Sequence, residues 1–203
     1  TQSYLFLTGS LVTDAPKTHD ELAFLRSDRE FNNLLLLEQS NGHFGDTIAR
    51  QFLFDKYALL RAEHIAQQTF DMDAAAIAAK AVKEIRYHAA DSSKWIIRLG
   101  DGTSESHSRI QKSINDLWEF TGEMFAADEV DIAGSIAGLL PDLTALKTQW
   151  DEEIDKVLVE ATLLRPEDGE MKTGGRTGVH TEELETMLAE MQILPRTHPG
   201  ASW

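Results

Sequence analysis

Residues 46–68 read DTIARQFLFDKYALLRAEHIAQQ, and the spacing of the apolar side chains there decides the fold. Ile48, Phe52 and Leu59 recur at intervals of four and seven, which places them on one stripe of an α-helix with 3.6 residues per turn. The stretch opens a long interval, residues 46 to 99, that contains neither Gly nor Pro, the two residues that most often interrupt helices. Outward from it the same reading repeats. A break at TFDMD (69–73) precedes a second helix over about 72–99, closed by GDGT. Hydroxyl residues at TSES start a third, read through to Ala127. Pro141 and Asp142 announce a helix through DLTALKTQWDEEIDKVLVEATLL. Thr181, followed by Glu182 and Glu183, starts the last one over 181–196. Upstream, THDELAFLRSDREFNNLLLLEQ (18–39) reads as one helix or a pair of short ones, and RPEDGEMKTGGRTGVH (165–180) as a polar surface loop. No segment keeps the period-two alternation of a half-buried strand. The chain is predicted to be an all-α bundle, 1–203 forming one domain.

Composition narrows the function. The net charge of −15 repels phosphate backbones and speaks against nucleic acid as a partner. The absence of cysteine removes thiol nucleophiles and thiolate metal sites and fits a cytoplasmic location. The longest apolar run, Ala74 to Ala79, is far short of the ~20 residues that cross a bilayer, so no membrane partner is expected. No signal peptide is recognisable at the start, which also lacks Met. The G-x-S-x-G of hydrolases and the Walker phosphate loop are both missing.

The segment KEIRYH, Lys83 to His88, sets Glu84 and His88 four residues apart on one helical face. With Ile85 at the origin of a helical wheel, His88 falls inside the apolar arc of the second helix and Glu84 at its rim. Asp55 lies on the Ile48, Phe52, Leu59 stripe of the neighbouring helix. Buried charges need a partner or a metal. Di-iron carboxylate bundles use Glu-x-x-His, yet three residues after Glu84 stands Tyr87, and three after Asp55 stands Ala58. The residues therefore favour a hydrogen-bonded network of Asp55, Glu84 and His88, joined by Arg50, Arg61 or Arg86, over a metal site. Lys172, Arg176 and His180 bring positive charge into the Gly-rich segment and are candidates for docking a partner, as is Trp203 as a C-terminal anchor. His43, His107 and His180 sit near helix starts, where surface capping is the plain reading.

Four blocks, EFNNLLLLEQSNGHFGDTIARQFLFD, AAIAAKAVKEIRYH, RLGDGTSES and TGGRTGVHTEELETMLAEMQILPRTHPGASW, resemble the C-subunit (PaaC) family of the bacterial phenylacetyl-CoA 1,2-epoxidases. The resemblance runs in register from about Leu22 to Trp203. It implies a ferritin-like helical bundle that pairs with a catalytic A subunit and with other epoxidase subunits. It further implies that the A subunit holds the di-iron site and epoxidises the aromatic ring, while the C subunit is structural and holds no cofactor. On that likeness Asp55 and Glu84 stand at former ligand positions, with Tyr87 where an imidazole would be. Family members carry a further helical pair upstream, so TQSYLFLTGSL resembles the tail of a helix whose start is missing. Self-association, an active di-iron oxidase using Asp55, Glu84 and His88, and an acyl-CoA carrier using Lys172 and Arg176 stay open as alternatives.

Overall fold

The computed structural model describes residues 2–11 and 17–201, without the side chains of Gln2, Phe6 and Ser10; Trp203 lies outside the described residues. The α-helices are α1 (Gln2–Leu11), α2 (Leu35–Glu38), α3 (Phe44–Gln68), α4 (Met72–Gly100), α5 (Ser104–Trp118), α6 (Glu129–Ile136), α7 (Leu143–Glu160) and α8 (Glu182–Thr197). No strand occurs among the described residues, so the all-α class predicted from the periodicity is the class observed. Two compact units divide the chain, one made of Thr1–Glu38 with Gly174–Trp203 and the other of Gln39–Thr173.

In the larger unit, side-chain chemistry sets the helix starts. Amides in the first turn of a helix lack intrahelical partners, and short polar side chains supply them. Asp71 accepts from the amides of Asp73 and Ala74 to start α4, Thr103 from Ser106 to start α5, and Asp142 from Ala145 to start α7. At α3 the cap is His43, whose Nδ1 accepts from the Asp46 amide at 3.2 Å while the Asp46 carboxylate accepts from the His43 amide at 2.9 Å. This reciprocal pair is a capping box built on an imidazole.

Helix α3 packs against α4, α5 and α7, and α4 packs against α5 and α7. The core of this bundle is Phe52 and Leu53 of α3, Ile96 of α4, Ile110 and Ile114 of α5, and Trp150 and Ile154 of α7, all 1% exposed or less. Full burial of each aliphatic or aromatic side chain contributes about 1.5–3 kcal/mol. Trp150 gives its indole N–H to the Leu53 carbonyl at 3.0 Å and lies between the rings of Trp118 and Phe125. A Cβ on Gly100 would come within 2.3 Å of the Ala161 carbonyl oxygen, so glycine is what lets the end of α4 close on the end of α7.

Two expectations are corrected and one element is added. The third predicted helix stops at Trp118 and resumes only as a 3-10 turn at Gly122–Phe125; Gly122 is packed on Met171, where a Cβ would come within 2.6 Å. Helix α6 was not foreseen. Thr181 holds the N-cap position of α8, but its hydroxyl caps nothing because it donates to Glu38.

In the N-terminal half of the smaller unit α1 is followed by short pieces only: a π-helical turn at Glu21–Leu25, a 3-10 turn at Asp28–Glu30, and α2. Helix α8 packs on both turns through Leu184, Leu188 and Gln192, and the Gln192 amide donates to the Arg26 carbonyl at 3.0 Å.

Candidate functional site

Helices α3 and α4 bring together part of the expected polar group. Asp55 is 8% exposed, and its Oδ2 accepts from the Ser92 hydroxyl at 3.1 Å. Burial pushes its carboxyl up to about 6, partly offset by the Ser92 hydroxyl, the His88 charge and Gln51. Desolvation therefore outweighs all three polar neighbours, because an ionised carboxylate out of water loses more hydration than these groups return.

Glu84 and His88, by contrast, are both exposed, as is Tyr87 at 70%. The helical wheel sets them at the apolar boundary; the buried stripe of α4 is instead Ala78, Val82, Ala89, Ser92, Ser93, Ile96 and Gly100. That stripe is rotated by roughly 50° from the expected arc. Close helix packing favours the small side chains of α4, and Ile77, Ile85 and Trp95 are left only half-buried.

None of the three expected arginines serves Asp55 among the recorded bonds. Arg50 donates to the carbonyls of Gln39 and Ser40 and to Asn41. Arg61 reaches Tyr57 and Asp131, and Arg86 pairs with Glu63 at 2.6 Å. Among the described residues no three His, Asp or Glu side chains converge closely enough to hold a metal ion. With Ala58 and Tyr87 three residues after Asp55 and Glu84, the donor set does not fit a two-metal carboxylate centre.

The raised carboxyl of Asp55 has a measurable sign. Its folded-state value lies above the ordinary 3.8, so between about 4 and about 6 the folded chain holds more protons than the unfolded chain. Stability contributed by the protonated form is present at the acidic end of this window and lost as pH rises through about 6. Partial solvation holds the loss to about 1–2 kcal/mol. Replacing Asp55 by Asn keeps a partner for Ser92 without the charge. Asp55→Asn should raise the denaturation midpoint at pH 8 and flatten the stability profile between pH 4 and 7, as read by urea unfolding at several pH values.

The cationic candidates have intramolecular partners. In the larger unit Lys172 pairs with Glu119 at 2.7 Å, its amide donates to the Glu119 carbonyl, and its ammonium lies 5.0 Å from the Phe120 ring centroid. In the smaller unit the Arg176 carbonyl accepts from Asn32 at 2.6 Å. His180 is not a surface ring: its side chain is 3% exposed and that of Glu38 is fully buried. Nδ1 of His180 lies 2.7 Å from Glu38 Oε1 and Nε2 lies 2.9 Å from the Phe31 carbonyl oxygen. The Phe31 carbonyl can only accept, so Nε2 donates, and Nδ1 shares a proton with Glu38 Oε1 across a buried hydrogen bond. The other Glu38 oxygen accepts the amide and hydroxyl of Thr181. The pair joins the end of α2 to the start of α8. His107 sets Nδ1 2.8 Å from the Gly100 carbonyl.

A second cluster escaped the sequence reading. Arg165 pairs with Asp151 and Asp155 at 2.7 and 2.8 Å and lies over the Trp118 ring. The Trp118 indole N–H donates to Asp168 at 3.0 Å. Together they clamp the segment after α7 onto the aromatic core.

A helical bundle whose long α3–α4 hairpin buries one carboxylate among small polar side chains defines an all-α protein of the ferritin-like class. The chain matches the phenylacetic acid catabolic protein family over residues 1–203, and it belongs to that family. A curated relative, the C subunit of the 1,2-phenylacetyl-CoA epoxidase of Escherichia coli (strain K12), is 48% identical over 184 residues, covering 91% of this chain and 74% of the relative. No helix among the described residues is long and apolar enough to cross a membrane.

Proposed function

We propose that the chain is a structural, non-catalytic subunit of a multicomponent phenylacetyl-CoA ring 1,2-epoxidase of aerobic phenylacetate catabolism. In this reading it works in the cytoplasm, binds and stabilises the catalytic A subunit, which supplies the di-iron centre, and holds no cofactor itself. The observation that carries the reading is its 48% identity to the C subunit of an epoxidase. The donor set of the α3–α4 hairpin supports it: Asp55 is buried, Glu84 and His88 are exposed, and the positions three residues on from the two carboxylates hold Ala58 and Tyr87. What the hairpin's own residues do is hold a helix pair together around one desolvated carboxyl that Ser92 hydrogen-bonds.

Iron content tests the cofactor part of this reading. The purified protein, loaded with ferrous iron and desalted, should retain far less than one iron per chain and show no oxygen-dependent turnover of phenylacetyl-CoA without the A subunit. Near-stoichiometric iron with turnover by this chain alone contradicts it.

A further inference from the structure

Helix α6 is built inside out. A surface helix ordinarily buries an apolar stripe and shows its polar residues to water. In α6 the one buried residue is Asp131, while Val130 is 70%, Ile132 52% and Ile136 85% exposed. All three lie roughly 100° or more around the helix from Asp131, and Ala133 and Ala137, exposed as well, complete the same outward face.

We propose that this face is a docking surface for a basic protein partner, one that presents an apolar groove rimmed by lysine and arginine. The inference rests on the reading of the chain as a subunit and adds which surface is used and what the partner must offer. Two observations carry it. The first is that the helix is held in place from its polar side. Asp131 lies 3.5 Å from the Arg61 guanidinium of α3. Its carboxylate accepts the Asp128 amide, and the Asp128 carboxylate accepts the Val130 and Asp131 amides. Leu140 folds back against Gly134, where a Cβ would come within 2.6 Å. The apolar side chains are thus presented on a preorganised element, which lowers the entropy lost on binding, and an exposed apolar face of this kind marks an interaction site.

The second observation is charge. No Lys, Arg or His occurs from Ala126 to Leu146, whereas Asp128, Glu129 and Asp142 are exposed. A cleft of about 160 Å³ beside the face, lined by Ile132, Ile136, Leu143 and Asp142 among others, suits a side chain with an apolar stem and a cationic head, as lysine and arginine have. A second copy of this acidic chain set against the same face would bring like charges together, which disfavours self-pairing there.

The test uses the full chain with Ile132→Ser and Ile136→Ser combined, both at solvent-facing positions, so the thermal unfolding midpoint should stay within about 2 °C of the parent. Binding to the purified A subunit, and separately to each other epoxidase subunit, is measured by interferometry at low and high salt. At least one subunit that binds the parent should bind the double variant about tenfold or more weakly. Glu129→Lys should weaken the same subunit about two- to fivefold at low salt, the difference shrinking at high salt. If every subunit that binds the parent binds the double variant unchanged, the docking surface is wrong and the subunit reading stands. If no subunit binds the parent, both fall. If the double variant instead converts a parent dimer to a monomer by native mass, the face belongs to a second copy and the basic partner is overturned.

Discussion

The His180→Ala variant is expected to lose about 2–5 kcal/mol of stability in urea unfolding followed by far-ultraviolet circular dichroism, the cost of leaving two buried hydrogen-bonding groups without their partner. The loss follows from what remains. Glu38, fully buried in its side chain, keeps the Thr181 amide and hydroxyl but loses its His180 partner, and the Phe31 carbonyl loses the Nε2–H. Adding Glu38→Gln to His180→Ala removes the stranded carboxyl group and should recover part of the loss, so the double variant should be more stable than the sum of the two single losses predicts. A His180→Ala protein within about 0.5 kcal/mol of the parent would show that the buried hydrogen bonds of this ring contribute nothing net and would contradict the account.

Trp150→Ala should cost about as much, roughly 3–5 kcal/mol. The indole is 1% exposed, lies 5.7 Å from Trp118 and 5.3 Å from Phe125 between ring centroids, and bridges α7 to α3 through the Leu53 carbonyl. Truncation removes both rings' contacts and leaves a cavity the four packed helices cannot close without moving. Trp150→Phe retains most of the aromatic contact and loses only the indole hydrogen bond, so its expected cost is about 1–2 kcal/mol. Equal losses for the two variants would place the stabilisation in the hydrogen bond and contradict the packing account.

Local signals carried most of the fold. Asp71, Thr103 and Asp142 stand where a short polar side chain precedes an apolar-periodic run, and each is an observed cap. The failures share a cause: they depend on partners distant in sequence. The wheel for α4 weights Ile77, Ile85 and Trp95 equally with Ala78, Ala89 and Ser92, but which side turns inward is set by how closely α3 can approach, and small side chains permit the closest approach. That shift moves Glu84 and His88 outward and leaves Asp55 with Ser92, a serine nothing in the local sequence distinguishes. Glu38 and His180 are 142 residues apart, and no periodicity links them. Helix α6 was missed because its eight residues make little more than two turns, too few for the recurrence of its apolar residues to stand out in the sequence.

The central claim, that this chain serves as the structural partner of a catalytic protein, is tested most directly by co-expressing it with the A subunit and weighing the purified complex by native mass spectrometry with iron analysis. The account predicts a defined complex of fixed stoichiometry whose iron amounts to two per A subunit, with none assigned to this chain. Separate elution of the two chains, or iron tracking this chain in place of its partner, would contradict it.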